Sequence, residues 1–86
     1  MALKFFYGTE CPHCEEIVPL LLRLEQENNI TVERVECWHN EVNARLLESA
    51  DRERCGGVPF LWNSDSDSFL CGEVTFAELK DWATGK

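Results

Sequence analysis

Cys11 and Cys14 stand three residues apart with Pro12 and His13 between them. At the start of a helix, side chains at that spacing lie on one side of the first turn, close enough to form a small disulfide ring. Cys11 falls at the N-cap, where unpaired N–H groups and the helix dipole stabilise an anion, so its thiolate is favoured. Cys14, one turn further in, is the more buried and less acidic thiol. That asymmetry amounts to a mechanism: an exposed Cys11 thiolate attacks a disulfide, and Cys14 resolves the mixed disulfide. A ring N–H or imidazolium of His13 near the sulfur would lower the thiolate's energy further, and Pro12 suits a first helical turn, where a missing N–H costs nothing.

The same spacing supplies two tetrahedral metal ligands, but a metal needs a second pair. Cys37, Cys55 and Cys71 are isolated, and neither His13 nor His39 completes a recognised spacing, so no metal is expected. Five cysteines make an odd count, which leaves at least one thiol unpaired. The three isolated ones read as small core residues, with Cys37 and Cys55 as the candidates for a secondary redox thiol. Gly57-Val58-Pro59 is the second informative cluster: a proline entering a strand after two glycines suits a cis bond and leaves the Val58 backbone free, an edge of the kind that binds extended peptides. Asp65 and Asp67 lack the glycine and glutamate of a calcium loop and read as a solvated turn.

The elements that must position these residues follow from periodicity. Leu3–Tyr7 is an aromatic-rich apolar run that predicts a buried central strand. Ile17, Leu20, Leu21 and Leu24 recur at helical spacing up to a stop at Asn28-Asn29, with Pro19 placed to kink the helix. Residues 30–37 are extended in character, although the apolar parity shifts between Val32 and Val35. Asn40 reads as an N-cap. The helix after it carries Val42, Leu46 and Leu47 on its predicted buried face, has Arg52 and Arg54 in its last turn, and stops at Gly56-Gly57. A hairpin of residues 60–62 and 68–71 follows, then a helix opened by the capping box Thr75 to Glu78, with Phe76, Leu79 and Trp82 facing inward. The expected order is β-α-β-α-β-β-α, an α/β fold with a four-stranded mixed sheet in a single domain over residues 1–86.

Composition narrows the function. Sixteen acidic against eight basic residues give a formal charge of −8, which repels phosphate backbones and anionic lipid, so neither nucleic acid nor a membrane is an expected partner. The longest apolar stretches fall short of a membrane span, and the first residues run straight into a strand without a secretory leader, so a cytoplasmic protein is expected.

The residues together resemble the thioredoxin and glutaredoxin superfamily over nearly the whole chain. Cys11–Cys14 opens the first helix after a central strand, and Pro19 resembles the kinking proline that thioredoxins place at this distance. Gly57-Val58-Pro59 resembles the cis-proline loop, and residues 71–82 resemble the last strand and final helix. The resemblance implies a thiol–disulfide oxidoreductase of minimal, glutaredoxin-like size, without the extra N-terminal strand and helix of full thioredoxins. Cys11 would be the nucleophile, Cys14 the resolver, His13 the tuner, and Gly57, Val58 and Pro59 the substrate edge. It also implies no cofactor, a monomer, protein disulfides as substrates and a separate electron donor. The Cys-Pro-His-Cys interior resembles that of periplasmic disulfide donors. Two departures bear on mechanism. Phe5 occupies the place of the buried acid of thioredoxins, and Gly8 that of a glutaredoxin lysine that helps hold glutathione, which the acidic surface also disfavours. A glutathione-dependent glutaredoxin, a metal carrier using the cysteine pair and a catalytically silent adaptor are the rival readings.

Overall fold

The computed structural model of the chain describes residues 3–84. Its elements run β1 (Leu3–Tyr7), α1 (Pro12–Asn28), β2 (Glu33–Glu36), α2 (Glu41–Asp51), β3 (Phe60–Asn63), β4 (Ser68–Cys71) and α3 (Phe76–Thr84). The four strands make one sheet in the order β2-β1-β3-β4. β1 pairs with β2 in parallel across the α1 crossover, and β3 runs antiparallel to both β1 and β4. The α/β, mixed-sheet expectation therefore holds.

A central strand covered on both faces must be apolar on both, which is why β1 is a run and does not alternate. Phe5 packs among Cys14, Ile17, Leu21, Leu24, Leu79 and Trp82, the cluster beneath α1 and α3. Phe6 faces the other way, into a cluster with Val35, Cys37, Ala50 and Phe60 beneath α2. Those two cores explain the parity shift in the second strand: Val32 belongs to the first cluster and Val35 to the second. The strand itself is shorter than residues 30–37. The Glu25 carboxylate accepts the Val32 N–H at 2.7 Å and grips the Arg34 guanidinium at 2.8 and 2.9 Å, so residues before Glu33 are tied to the end of α1.

The buried stripe of α1 is Cys14, Ile17, Leu21 and Leu24, at helical spacing. The helix continues through Pro19, whose exposed ring faces solvent, and ends where Asn29 adopts the left-handed conformation. In α3 the Thr75 hydroxyl accepts the Glu78 N–H at 3.1 Å while the Glu78 carboxylate accepts the Thr75 N–H at 3.0 Å, the reciprocal cap read from sequence.

The second helix departs from expectation. Asn40 caps it as anticipated, accepting the Asn43 N–H at 3.1 Å. Of the expected inward face only Leu47 packs against the core, half-buried; the fully buried residues are Ala50 and Asp51, whereas Val42 is 70% exposed and Leu46 50%. The helix also ends sooner: Arg52 is a left-handed C-cap, so Arg52 and Arg54 lie beyond the last turn. Both guanidiniums are drawn to the Asp67 carboxylate in the β3–β4 turn, which also accepts the Trp62 indole N–H at 2.9 Å. The Trp62 hydrogen bond, then the two arginines, hold Asp67 far below the usual carboxylate range. The turn read as merely solvated is thus the anchor that pulls the chain out of α2.

Candidate active site

The site grows from the end of β1. Gly8 is buried there, and a Cβ at this position would overlap the Trp38 indole, which lies across it. A lysine at position 8 would displace that ring, a physical reason for glycine where glutaredoxins place a cation. Beyond it, Glu36 binds two loops together. Its carboxylate accepts the Thr9 N–H and hydroxyl at 3.1 and 3.0 Å, and the Trp38 and His39 N–H groups at 3.1 and 2.8 Å. The His39 ring meets the Glu10 carboxylate at 2.8 Å, and that hydrogen bond raises the His39 pKa above its ordinary value. These contacts deliver the chain to Cys11 in a fixed direction, with the Cys11 N–H donating to the Gly8 carbonyl at 3.1 Å.

Cys11 is the N-cap of α1 and Pro12 its first helical residue, as the spacing required. The Cys11 sulfur accepts the Cys14 backbone N–H at 3.2 Å, so one of the unpaired donors of the helix start points directly at it. Both cysteines are free thiols. The expected contrast in burial is absent: Cys11 is 5% exposed and Cys14 2%. Turning inward to take the N–H buries the sulfur that was expected to stand in solvent. Cys14 does differ in acidity. Burial first, then the hydrogen bond to Cys11 and the charge on that sulfur, push its thiol up to about 12.

His13 is placed differently from the role drawn for it. Its side chain is exposed, with Nδ1 3.9 Å from Glu73 and 4.0 Å from Glu16, and no hydrogen bond joins it to either sulfur. The ring is turned outward to carboxylates because it sits at an outward position of the first turn. Those three side chains form the one grouping of possible metal ligands among the described residues, and it includes neither cysteine.

On the other side of the site, the Val58–Pro59 peptide is cis. Val58 packs against both core clusters and so lies between Cys11 and Cys14 on one face and Cys37 and Cys55 on the other. No hydrogen bond engages its N–H or carbonyl among the described residues. The loop leading to it is held by buried Asp51, whose carboxylate accepts the Cys55 N–H at 2.6 Å and the Gly56 N–H at 2.8 Å. An open cleft of about 750 Å³ runs alongside, lined by Cys37, Trp38, Leu47, Glu48 and Gly57 among others.

Cys55 and Cys71 are not the isolated core thiols anticipated. They form a disulfide across a sequence separation of 16, with Cα atoms 5.7 Å apart, and Cys71 is exposed. The pairing was hidden because hairpin register, not sequence distance, brings position 71 beside Phe60 at the head of the cis-proline strand. Cys37 alone of the three is a buried free thiol. Burial and then Glu36 push it up to about 11.

These two raised thiols predict a pH dependence. From the ordinary 9.0 upward an unfolded chain ionises its cysteines while folded Cys14 and Cys37 keep their protons. Their contribution to stability is therefore complete below pH 9 and is lost as pH rises toward 11 and 12. Urea midpoints of the reduced protein should fall across that window, and the fall should be shallower in Cys37→Ala. An equal fall in both would exclude Cys37 from the effect.

No family model matches the sequence, and no curated protein matches it. The fold has a solved counterpart in thioredoxin 1 from the thermophilic eubacterium Thermosipho africanus TCF52B, with a TM-score of 0.68 at 12% identity over 99% of this chain and 92% of that one. The chain therefore has a thioredoxin-like fold. That thioredoxin is matched along nearly all of its length, so size does not separate the two. No helix among the described residues is long and apolar enough to cross a membrane.

Proposed function

We propose that this protein is a thiol–disulfide oxidoreductase that exchanges disulfides with protein substrates through Cys11 and Cys14. The observation that carries the reading is the Cys14 N–H on the Cys11 sulfur at the head of α1, with a Cys14 thiol pushed up to about 12 beside it. One sulfur is equipped to bear negative charge and the other is not, which is what an attacking and a resolving thiol require. Cys11 attacks one substrate sulfur and the other leaves as a thiolate. Cys14 then attacks Cys11 within the mixed disulfide, releasing the reduced substrate, and a separate dithiol donor restores the pair. Val58, with its free backbone groups beside Pro59 and Gly57, is the edge on which an extended substrate segment lies. The small exposure of Cys11 makes that edge matter, since a client must be aligned before its disulfide reaches the sulfur.

Electrostatics argue against glutathione as the partner. Residues 5–22 contain neither lysine nor arginine, and Glu10, Glu15, Glu16 and Glu73 surround the motif, so an anionic tripeptide is repelled. The helix terminus favours the reduced, thiolate form, and the same carboxylates oppose it through solvent. The expected reduction potential lies between about −270 and about −120 mV, the values of thioredoxin and of a strong disulfide donor. Equilibration against a glutathione redox series and insulin reduction driven by a dithiol test both parts. A folded protein that reduces no insulin would exclude the oxidoreductase reading in favour of an adaptor.

A further inference from the structure

The Cys55–Cys71 disulfide lies on the opposite face of the sheet from Cys11 and Cys14, and between the two pairs stands Val58. Phe60 and Cys71 are directly opposed on β3 and β4, so their side chains share a face. That face is the α2 side, where Phe60 and Cys55 both pack. The segment from Arg52 to Pro59 has little regular structure of its own: Arg52, Glu53, Gly56 and Gly57 all have positive φ, between 50° and 155°. Its supports are the ion pairs of Arg52 and Arg54 with Asp67, the Asp51 carboxylate, the Gly72 N–H donating to the Pro59 carbonyl at 3.3 Å, and the Cys55–Cys71 bond. Only the last is covalent, and only the last has an atom presented to an external thiol, because Cys71 is exposed while Cys55 is half-buried.

We propose that Cys55–Cys71 is a second redox-active site, a latch on the substrate edge that a dithiol opens. It rests on the reading of Val58-Pro59 as that edge. One thiolate of the dithiol attacks the sulfur of Cys71, the exposed residue of the pair, and Cys55 leaves as a thiolate and takes up a proton. The second thiol of the reagent then displaces Cys71, so the dithiol ends as a disulfide and two electrons and two protons reside on Cys55 and Cys71. Opening removes the covalent tie three residues before Val58, and the loop keeps its hydrogen bonds and, at its start, the Arg52 and Arg54 ion pairs with Asp67. Oxidised, the latch presents the edge in one place; reduced, it releases it. The attacked sulfur is Cys71 because access, not acidity, differs between the two.

Three measurements test this on the full chain. Treatment of the folded, oxidised protein with a monothiol such as 2-mercaptoethanol, followed by alkylation and peptide mapping, should place the mixed disulfide on Cys71. A bond that reacts only after denaturant is added overturns the proposal. Amide hydrogen exchange over residues 52–59 should quicken by about tenfold or more when the bond is reduced or in Cys55→Ser/Cys71→Ser, with α1 unchanged. Unaltered protection overturns it. For exchange, the KM for a peptide disulfide should rise roughly fivefold in that variant, while the rate toward a small aromatic disulfide, which does not use the edge, stays level. Equal KM values overturn it. Where the double variant does not fold, protein reduced selectively at Cys55–Cys71 gives the same comparison. If neither form attacks the small disulfide, the Cys11–Cys14 reading fails instead, and hydrogen exchange still decides the latch.

Discussion

Cys11→Ser is expected to lower disulfide exchange by at least about a thousandfold, because it removes the covalent step itself, whereas Cys14→Ser is expected to leave attack intact and trap the substrate. The reason lies in how the two sulfurs act on each other. In the free dithiol, Cys14 keeps its proton because it is buried and because it donates to, and lies close to, the Cys11 sulfur. Once Cys11 enters a mixed disulfide, its sulfur can carry no negative charge and that hydrogen bond is weakened, while the burial remains. In the proposed mechanism the resolver would thus be released from part of its restraint only after the nucleophile has reacted, which would keep attack and resolution in order. Among the described residues no acid lies beneath the pair to take the Cys14 proton, since Phe5 fills that place and is 1% exposed. Incubation of each variant with insulin, followed by non-reducing gels and mass spectrometry, reads the outcome. Stable adducts with Cys11→Ser and none with Cys14→Ser would reverse the assignment.

Phe60→Ala should cost about 3–5 kcal/mol, a large share of the stability of a domain this size. Phe60 is fully buried, stacks on Phe6 at 5.6 Å between ring centroids and meets Phe69 at 6.1 Å, so truncation leaves a cavity that the surrounding strands hold open. It also follows Pro59 directly, so the loss should loosen the edge as well as the core. Val42→Ala is the matched control, expected to change stability by no more than about 0.5 kcal/mol because Val42 stands in solvent. Urea denaturation of the two proteins gives the comparison, and similar costs would show that α2 buries the face its sequence pattern suggests.

The contrast between those two residues shows how far local pattern reaches. Strand β1, the stripe of α1, the caps at Asn29, Asn40 and Thr75, and the β3–β4 hairpin are all legible because each is specified within a few residues, by periodicity or by a side chain bonding a nearby backbone group. The order of elements follows. The Cys11–Cys14 geometry is legible for the same reason: a helix start is local, and it alone decides which sulfur meets the free N–H. Helix α2 misleads because an amphipathic pattern says that a helix has an apolar face, not that the sheet has room to cover it. The sheet's α2 side is already occupied by Phe6, Phe60 and Val35, and only Ala50 and Asp51 come close enough to be buried.

What the sequence alone determined was the α/β architecture and the placement of a dithiol at a helix N-terminus, since short-range spacing and capping dictate both. Tertiary structure decided everything that depends on distant parts of the chain meeting. Strand register brought Cys71 to Cys55, and Arg52 and Arg54 met Asp67 in the β3–β4 turn. The approach of His13 to Glu73 was also settled there. Each was chosen by packing and charge across elements, and a residue's neighbours in sequence carry no record of them.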